Sequence, residues 1–211
     1  NALASGTIDG PRGGMISQQY VPALETAFNA LYHAGILDKD TFCDVLDRAL
    51  FATRCPGQNY NANNGAGRRP HVGLYCRSNM ADQGRLQGNT AGLTKEHVVP
   101  ESVLWNLFRV GTPTGRLPNE GPPPPRTPVS VIAALYNVAF ITQGTPPEHG
   151  ENQQLDNVGL RSSMPQWWEA PLNLEDVTNE VAWARYQAAG LFDQMIRVAD
   201  YIGDWYRPPG P

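Results

Sequence analysis

The sequence predicts an α+β protein in which helices surround a small β unit. Apolar residues recur at helical spacing near both ends of the chain, and a short β-branched stretch that stops at a proline lies between them. With 211 residues, 41% of them hydrophobic, the chain can bury a core, and we expect a single domain over 1–211. The 19 prolines and 21 glycines predict a loop-rich protein with long irregular connections.

The N-terminal part, residues 1–54, is predicted to be helical. One helix covers 21–33 and ends at Gly35, and Asp40 or Thr41 caps a second. Apolar residues share one face of the first helix: Leu24, Phe28 and Leu31. Both helices are predicted to pack in the core rather than to carry function.

Three cysteines leave the pairing open. Cys55 and Cys76 flank a loop rich in Gly and Asn, and a disulfide between them would favour an exported protein. Cys43 lies in a helical pattern, which is typical of a buried small apolar residue. The absence of a CxxC pair argues against a zinc site.

The central segment predicts two strands. Residues 93–99 form the first, which Pro100 closes before a short helix. Residues 129–142 are apolar and are predicted to change from helix to strand at Asn137. Between them, residues 111–128 contain four consecutive prolines, which favour a stiff, extended surface loop.

A long C-terminal helix is predicted over 173–206, capped by Asn173, with Glu175 and Asp176 in its first turn. Its buried stripe would consist of Val177, Val181, Ala184, Ala188, Leu191, Met195, Val198 and Ile202.

Charge and hydropathy exclude some classes of protein. A formal net charge of −4 argues against tight electrostatic binding of nucleic acid, but not against an enzyme that contacts a few phosphates. No apolar run approaches the ~20 residues that span a bilayer, so we expect no membrane partner. No signal peptide is visible. The first residue is not Met, so we expect a processed or excised piece of a longer protein.

The most informative pair of residues is Glu96 and His97. A carboxylate is a hard oxygen ligand suited to Mg²⁺, and a neutral imidazole can deprotonate a water near neutral pH. An asparagine carbonyl, such as that of Asn152, could be a second oxygen ligand. Hydrolysis of a phosphodiester with one metal ion needs both a metal ligand and a base that deprotonates water.

The order Glu-His-Val-Val-Pro over 96–100, then Asn137 before an apolar strand, then Asn152, resembles the ββα-metal nuclease superfamily, also called His-Asn-His or His-Me finger. The similarity covers about 93–157 and is nearest to the non-specific bacterial endonucleases that carry this pentapeptide. It implies a ββα-metal core, a two-stranded antiparallel hairpin plus a helix, within a mainly helical shell.

The resemblance also implies roles for single residues. His97 would be the general base and Glu96 a ligand of Mg²⁺, or of another divalent cation such as Mn²⁺. Asn137 would brace the loop that bears the histidine. Asn152 would be the second metal ligand, with His149 as its rival.

A cation that clamps the phosphate is not placed by a motif. Arg109, Arg116 and Arg161 are candidates, and Arg161 is favoured because it follows the segment of the second ligand.

From the resemblance we expect a non-specific endonuclease that cuts DNA rather than RNA. An exported enzyme or an antibacterial toxin domain, with an immunity protein as its partner, would fit.

Two alternatives from other classes stay open. A cysteine hydrolase could use Cys76 or Cys55 with His97, although neither thiol lies at a predicted helix start. A non-catalytic domain could instead bind a protein partner through the Pro-rich loop.

Overall fold

A computed structural model describes residues 16, 18–54, 76–78, 93–117, 121–142 and 151–196. Its α-helices are α1 (Val21–His33), α2 (Lys39–Arg54), α3 (Glu101–Val110), α4 (Val129–Leu135), α5 (Glu151–Asn157), α6 (Asn179–Ala182) and α7 (Ala184–Ala188). Its strands are β1 (Cys76–Ser78), β2 (Leu93–His97), β3 (Val138–Thr142) and β4 (Met195–Ile196). Helices around one sheet confirm the predicted α+β class. No helix in these ranges has the length and apolar character needed to cross a membrane.

Helices α1 and α2 occur where they were predicted, but the cap of α2 was assigned to the wrong residue. Gly35 follows α1 with a φ of 72°, as expected for a glycine beyond a helix end. Asp38, rather than Asp40 or Thr41, caps α2, because its Oδ1 accepts the backbone N–H of Thr41 at 2.7 Å. That hydrogen bond lowers the pKa of the Asp38 carboxyl. The helix thus begins earlier in a polar run that offered several capping candidates.

Aromatic rings join α1, α2 and α3 in the core. The ring of Phe42 lies 4.7 Å from that of Phe28 and 5.2 Å from that of Phe108, measured between centroids. Trp105 on α3 adds a ring 5.5 Å from Phe42. Aromatic pairs at these separations contribute beyond their buried area. Their packing fixes α2 against α3, and these two helices flank the end of β2.

The four strands form one sheet in the order β2-β3-β1-β4. β2 and β3 are antiparallel, with Leu93 opposite Thr142 and His97 opposite Val138. β1 is parallel to β3 and antiparallel to β4. The predicted antiparallel pair is therefore present, but it belongs to a larger sheet, and α3 and α4 separate its strands along the chain. Helix α5 follows β3 and contacts it.

The proline-rich segment folds back onto the end of α3. Gly111 ends this helix with a φ of 72°, and a Cβ there would lie 2.1 Å from the carbonyl oxygen of Pro125. Thr127 then donates its backbone N–H to the carbonyl of Leu107 at 3.1 Å. Residues 121–128 form neither helix nor strand and are mostly exposed, as predicted for an extended surface loop.

The prediction of one long helix over 173–206 is wrong. Its first part is a 3₁₀ turn (Leu174–Asp176), followed by the short helices α6 and α7 and by strand β4. Trp183 separates the two helices, and the indole N–H of Trp168 donates at 2.9 Å to the carbonyl of Val181, which in a continuous helix accepts from residue 185. Gly190, with a φ of 70°, ends α7. Residues 197–206 lie outside the described ranges.

Candidate catalytic centre at the end of strand β2

Strand β2 ends on the two residues that the sequence singled out. The antiparallel register places Glu96 opposite Ala139 and His97 opposite Val138. Val98 and Val99 leave the strand and are fully buried, which anchors the backbone directly after the histidine. Pro100 then stands directly before α3, a position that its extended backbone and missing N–H suit. The pentapeptide is thus a strand end, a buried anchor and a helix start.

Both ring nitrogens of His97 have polar neighbours. Nε2 lies 3.0 Å from the hydroxyl oxygen of Tyr136, and Nδ1 lies 3.3 Å from Oε1 of Glu101 on the first turn of α3. The imidazole side chain is only 13% exposed, whereas that of Glu101 is 32% exposed. The ring therefore has one buried edge and one edge that faces a partly solvated carboxylate.

The buried edge continues to helix α2. Tyr136, fully buried at the C-terminal end of α4, donates its hydroxyl hydrogen to Oδ1 of Asp47. The same Asp47 oxygen lies 4.0 Å from Nε2 of His97. We call these four residues, Asp47, Tyr136, His97 and Glu101, the His97 network. It joins elements that are far apart in sequence, so spacing alone could not reveal it.

Glu96 is held by a residue that the sequence reasoning missed. Nη2 of Arg185, on α7, lies 2.7 Å from Oε1 of Glu96, and the Arg185 side chain is completely buried. The guanidinium also donates to four backbone carbonyls, those of His97, Val98, Leu160 and Arg161. We call this group the Arg185 cluster. A signal was present, since Arg185 is the single charge within the apolar run 181–186, where a helix stripe is expected to be uncharged.

Asn137 lies between the two groups. Its side chain is buried and donates to the carbonyl of Leu135 at 3.2 Å, at the end of α4. Its own carbonyl accepts the backbone N–H of Val98 at 2.9 Å. The residue therefore ties the end of α4 to the backbone just after His97. Its Oδ1 is buried without a hydrogen-bond partner among the residues described.

Arg161, favoured as the phosphate clamp, is exposed and forms an ion pair with Asp156 at 2.8 Å. Its carbonyl oxygen accepts from Nη1 of Arg185 at 2.7 Å, so its backbone belongs to the Arg185 cluster while its side chain does not. Arg109 and Arg116 are also exposed, on α3 and in the turn that follows it. No contact in the described ranges brings these three side chains to His97.

The other candidates can be placed only in part. Asn152 lies in the first turn of α5, but its side chain is outside the described set, and His149 lies outside it altogether. The same holds for Cys55, and for the side chain of Cys76 in β1. Cys43 is a free, buried thiol whose pKa is raised mainly by burial, so it is a poor nucleophile.

The described residues supply one oxygen donor for a divalent cation at the end of β2. Within the portion that is described, no cluster of three or more His, Cys, Asp or Glu side chains forms a complete site. Arg185 takes Oε1 of Glu96, which leaves the second carboxylate oxygen as one possible ligand. Mg²⁺ usually retains several waters and needs few protein ligands. A site with one carboxylate from β2 and one ligand from α5 would satisfy that preference.

Comparisons with models of protein families, with curated protein sequences and with solved structures found no match. The geometry of the centre itself limits the chemistry it can support. It combines an oriented imidazole with a partly solvated edge, a carboxylate whose position a buried arginine fixes, and a buried asparagine that ties the adjoining backbone. Such a centre can accept a proton from a water and offer a carboxylate oxygen to a cation.

Proposed function

We propose that the chain is a divalent-metal-dependent endonuclease that hydrolyses phosphodiester bonds. The observation that carries the proposal is the pairing at the end of β2, where a carboxylate and an imidazole are adjacent and each is held by its own buried hydrogen-bond partners. A catalytic base and a metal ligand must keep fixed positions relative to each other, and two separate sets of contacts provide that. The order β2, β3, α5 and the position of Asn137 support the ββα-metal resemblance.

In this proposal His97 is the general base. The attacking water gives a proton to the imidazole as its oxygen bonds to phosphorus, and the leaving oxygen takes a proton from solvent. Glu96 and Asn152, or His149 in its place, would hold Mg²⁺ or Mn²⁺. When bound, the ion would stabilise the negative charge that develops on the phosphate oxygens. Asn137 keeps the backbone around His97 in place, and Arg161 would contact a neighbouring phosphate.

DNA is the proposed substrate rather than RNA, with low sequence specificity. We extend the proposal to an exported nuclease or an antibacterial toxin domain, which would need an immunity protein in the producing cell. The net charge of −4 implies that affinity for the substrate depends on a few local cations such as Arg161.

The test is a cleavage assay on supercoiled plasmid and on RNA, with Mg²⁺, Mn²⁺ or EDTA, for the wild type and His97→Ala. We expect metal-dependent nicking of the plasmid that falls by about 10²-fold or more in His97→Ala, the usual effect of removing a general base. His33→Ala, which removes an exposed histidine at the end of α1, is the matched control and should cut like the wild type.

Three outcomes would reject parts of the proposal. Full activity in His97→Ala would exclude His97 as the base. Cleavage that EDTA does not affect would exclude the metal. Metal-independent hydrolysis that a thiol blocker abolishes would favour the cysteine hydrolase.

A further inference from the structure

Two residues to which the nuclease resemblance assigns no role, Tyr136 and Asp47, lie on the buried side of the imidazole. We propose that Asp47 and Tyr136 are positioning residues that keep a hydrogen on Nε2 of His97, so that Nδ1 is the nitrogen that meets the attacking water. The catalytic part of this inference rests on the proposed function, whereas the state of the ring can be tested without it. Asp47 belongs to α2, so this N-terminal helix would be part of the catalytic centre as well as of the core.

The hydroxyl of Tyr136 lies between a carboxylate and an imidazole. A phenol has one hydrogen, and Tyr136 donates it to the carboxylate of Asp47, which when ionised can only accept. The hydroxyl oxygen then has lone pairs alone for the nitrogen 3.0 Å away. A hydrogen bond at that distance therefore requires His97 to donate from Nε2. This holds for the neutral ring and for the imidazolium.

The geometry around Tyr136 makes this arrangement rigid. Its side chain is completely buried, and its ring lies 5.4 Å from that of His97 between centroids. Its backbone N–H donates to the carbonyl of Ile132 at 2.9 Å, which holds it at the end of α4. Asp47 is on a helix of 16 residues that aromatic contacts fix to α3. Tyr136 cannot turn away without disturbing the core, and the helix that carries Asp47 is held in place.

The opposite edge of the ring faces the more solvated side of the His97 network. Nδ1 faces Glu101, whose carboxylate is partly exposed and has its other oxygen 3.6 Å from the ammonium of Lys39. An ionised carboxylate has no hydrogen to give, so this contact does not cap the lone pair of a neutral Nδ1. A water that enters beside Glu101 could donate to Nδ1. In other proteins, partners that fix a histidine tautomer in this way decide which nitrogen acts.

The direct test is the ¹⁵N NMR spectrum of His97 in the unmodified protein, at a pH where the ring is neutral. Comparison with His97→Ala assigns the signals. We expect the pattern of the Nε2–H tautomer, and an Nδ1–H pattern would overturn the inference whether or not the protein cuts DNA. A clear Nε2–H pattern in a protein with no nuclease activity would support the state of the ring and reject the proposed function.

Variants test whether the two residues act through His97. Tyr136→Phe keeps the ring but removes the hydroxyl, and Asp47→Asn lets an amide donate to Tyr136, so that the hydroxyl can donate to Nε2 and favour the Nδ1–H tautomer. Each should lower kcat by about 10- to 100-fold, as loss of a histidine's orienting partner does in metal sites, with a much smaller change in KM. In a His97→Ala background neither should reduce activity further.

The matched controls are Asp44→Asn, which removes an exposed carboxylate on the same helix, and Tyr32→Phe, which removes a hydroxyl on α1. Both should retain the activity and the ¹⁵N pattern of the wild type. Equal losses of kcat in the controls, or a further loss in the His97→Ala background, would show a general effect on folding and reject the positioning role.

Discussion

Two neighbouring residues at the end of β2 are held in different ways. The Arg185 cluster is a buried charge pair in which one guanidinium reaches Glu96 and four backbone carbonyls. The His97 network uses a neutral hydroxyl between a carboxylate and an imidazole, and it opens toward solvent at Glu101. A buried ion is strongly destabilising once its partners are lost, whereas a partly solvated one is not. We infer that the first group mainly maintains the fold and the second mainly determines reactivity.

The largest expected effect follows from removing the buried charge of the Arg185 cluster. Arg185→Met fills much of the same volume but leaves Glu96 and four carbonyls without their donor. Breaking a buried pair typically costs about 3–5 kcal/mol, so urea denaturation should show a loss of that order in the free energy of unfolding. A double variant, Arg185→Met with Glu96→Gln, should recover part of it because the unpaired carboxylate is gone. A loss below about 1 kcal/mol for Arg185→Met would reject the inference that the Arg185 cluster mainly maintains the fold.

An intermediate effect is expected at the residue between the two groups. Asn137→Ala removes the donor to the carbonyl of Leu135 and leaves that oxygen unsatisfied in the core. Such a loss usually costs about 1–3 kcal/mol. Urea denaturation checks this value, and the cleavage assay should show lower activity as well, because the backbone after His97 is less firmly held. Unchanged activity in a destabilised but folded Asn137→Ala would reject the bracing role.

In the His97 network, a substitution should lower activity strongly and stability only moderately. Tyr136→Phe removes a buried hydroxyl that bonds to both Asp47 and His97, and each of these hydrogen bonds is worth about 0.5–1.5 kcal/mol net. Its unfolding free energy should therefore fall less than that of Arg185→Met, while its kcat falls by the 10- to 100-fold given above. Urea denaturation and steady-state kinetics on the same preparations test this reversal. A stability loss as large as that of Arg185→Met would show that both groups are structural.

The sequence predicted those parts of the centre that depend on residues close together in the chain. Helix α1 and the change from α4 to β3 at Asn137 were predictable because local periodicity and turn chemistry decide them. Glu96 and His97 were found because two chemical groups lie side by side in the chain. The long C-terminal helix was wrong because tertiary packing around Trp168 and Trp183 overrides a helical stripe.

The partners of the centre were beyond such reasoning. Asp47 and Tyr136 are 89 residues apart, as are Glu96 and Arg185, and no periodicity connects positions at that distance. A lone arginine in an apolar run did indicate a buried charge, but not which carboxylate it would meet. In both cases the sequence identified the candidate residue and the fold supplied the residue that holds it.

The smallest expected effect on stability lies at the edge of the Arg185 cluster. Arg161→Ala removes an exposed side chain and its ion pair with Asp156, yet keeps the carbonyl that accepts from Arg185. Exposed pairs contribute about 0–1 kcal/mol, so the urea midpoint should barely move. If Arg161 contacts a phosphate, the same variant should raise KM for DNA and weaken the salt dependence of binding. Arg126→Ala is the control variant for Arg161→Ala, because it also removes an exposed arginine. The guanidinium of Arg126 lies 4.1 Å from the centre of the Tyr32 ring. If Arg161→Ala instead destabilises the protein as strongly as Arg185→Met is expected to, Arg161 would be structural as well. The distinction between Arg185, which holds the fold, and Arg161, whose side chain is available for a phosphate, would then be rejected.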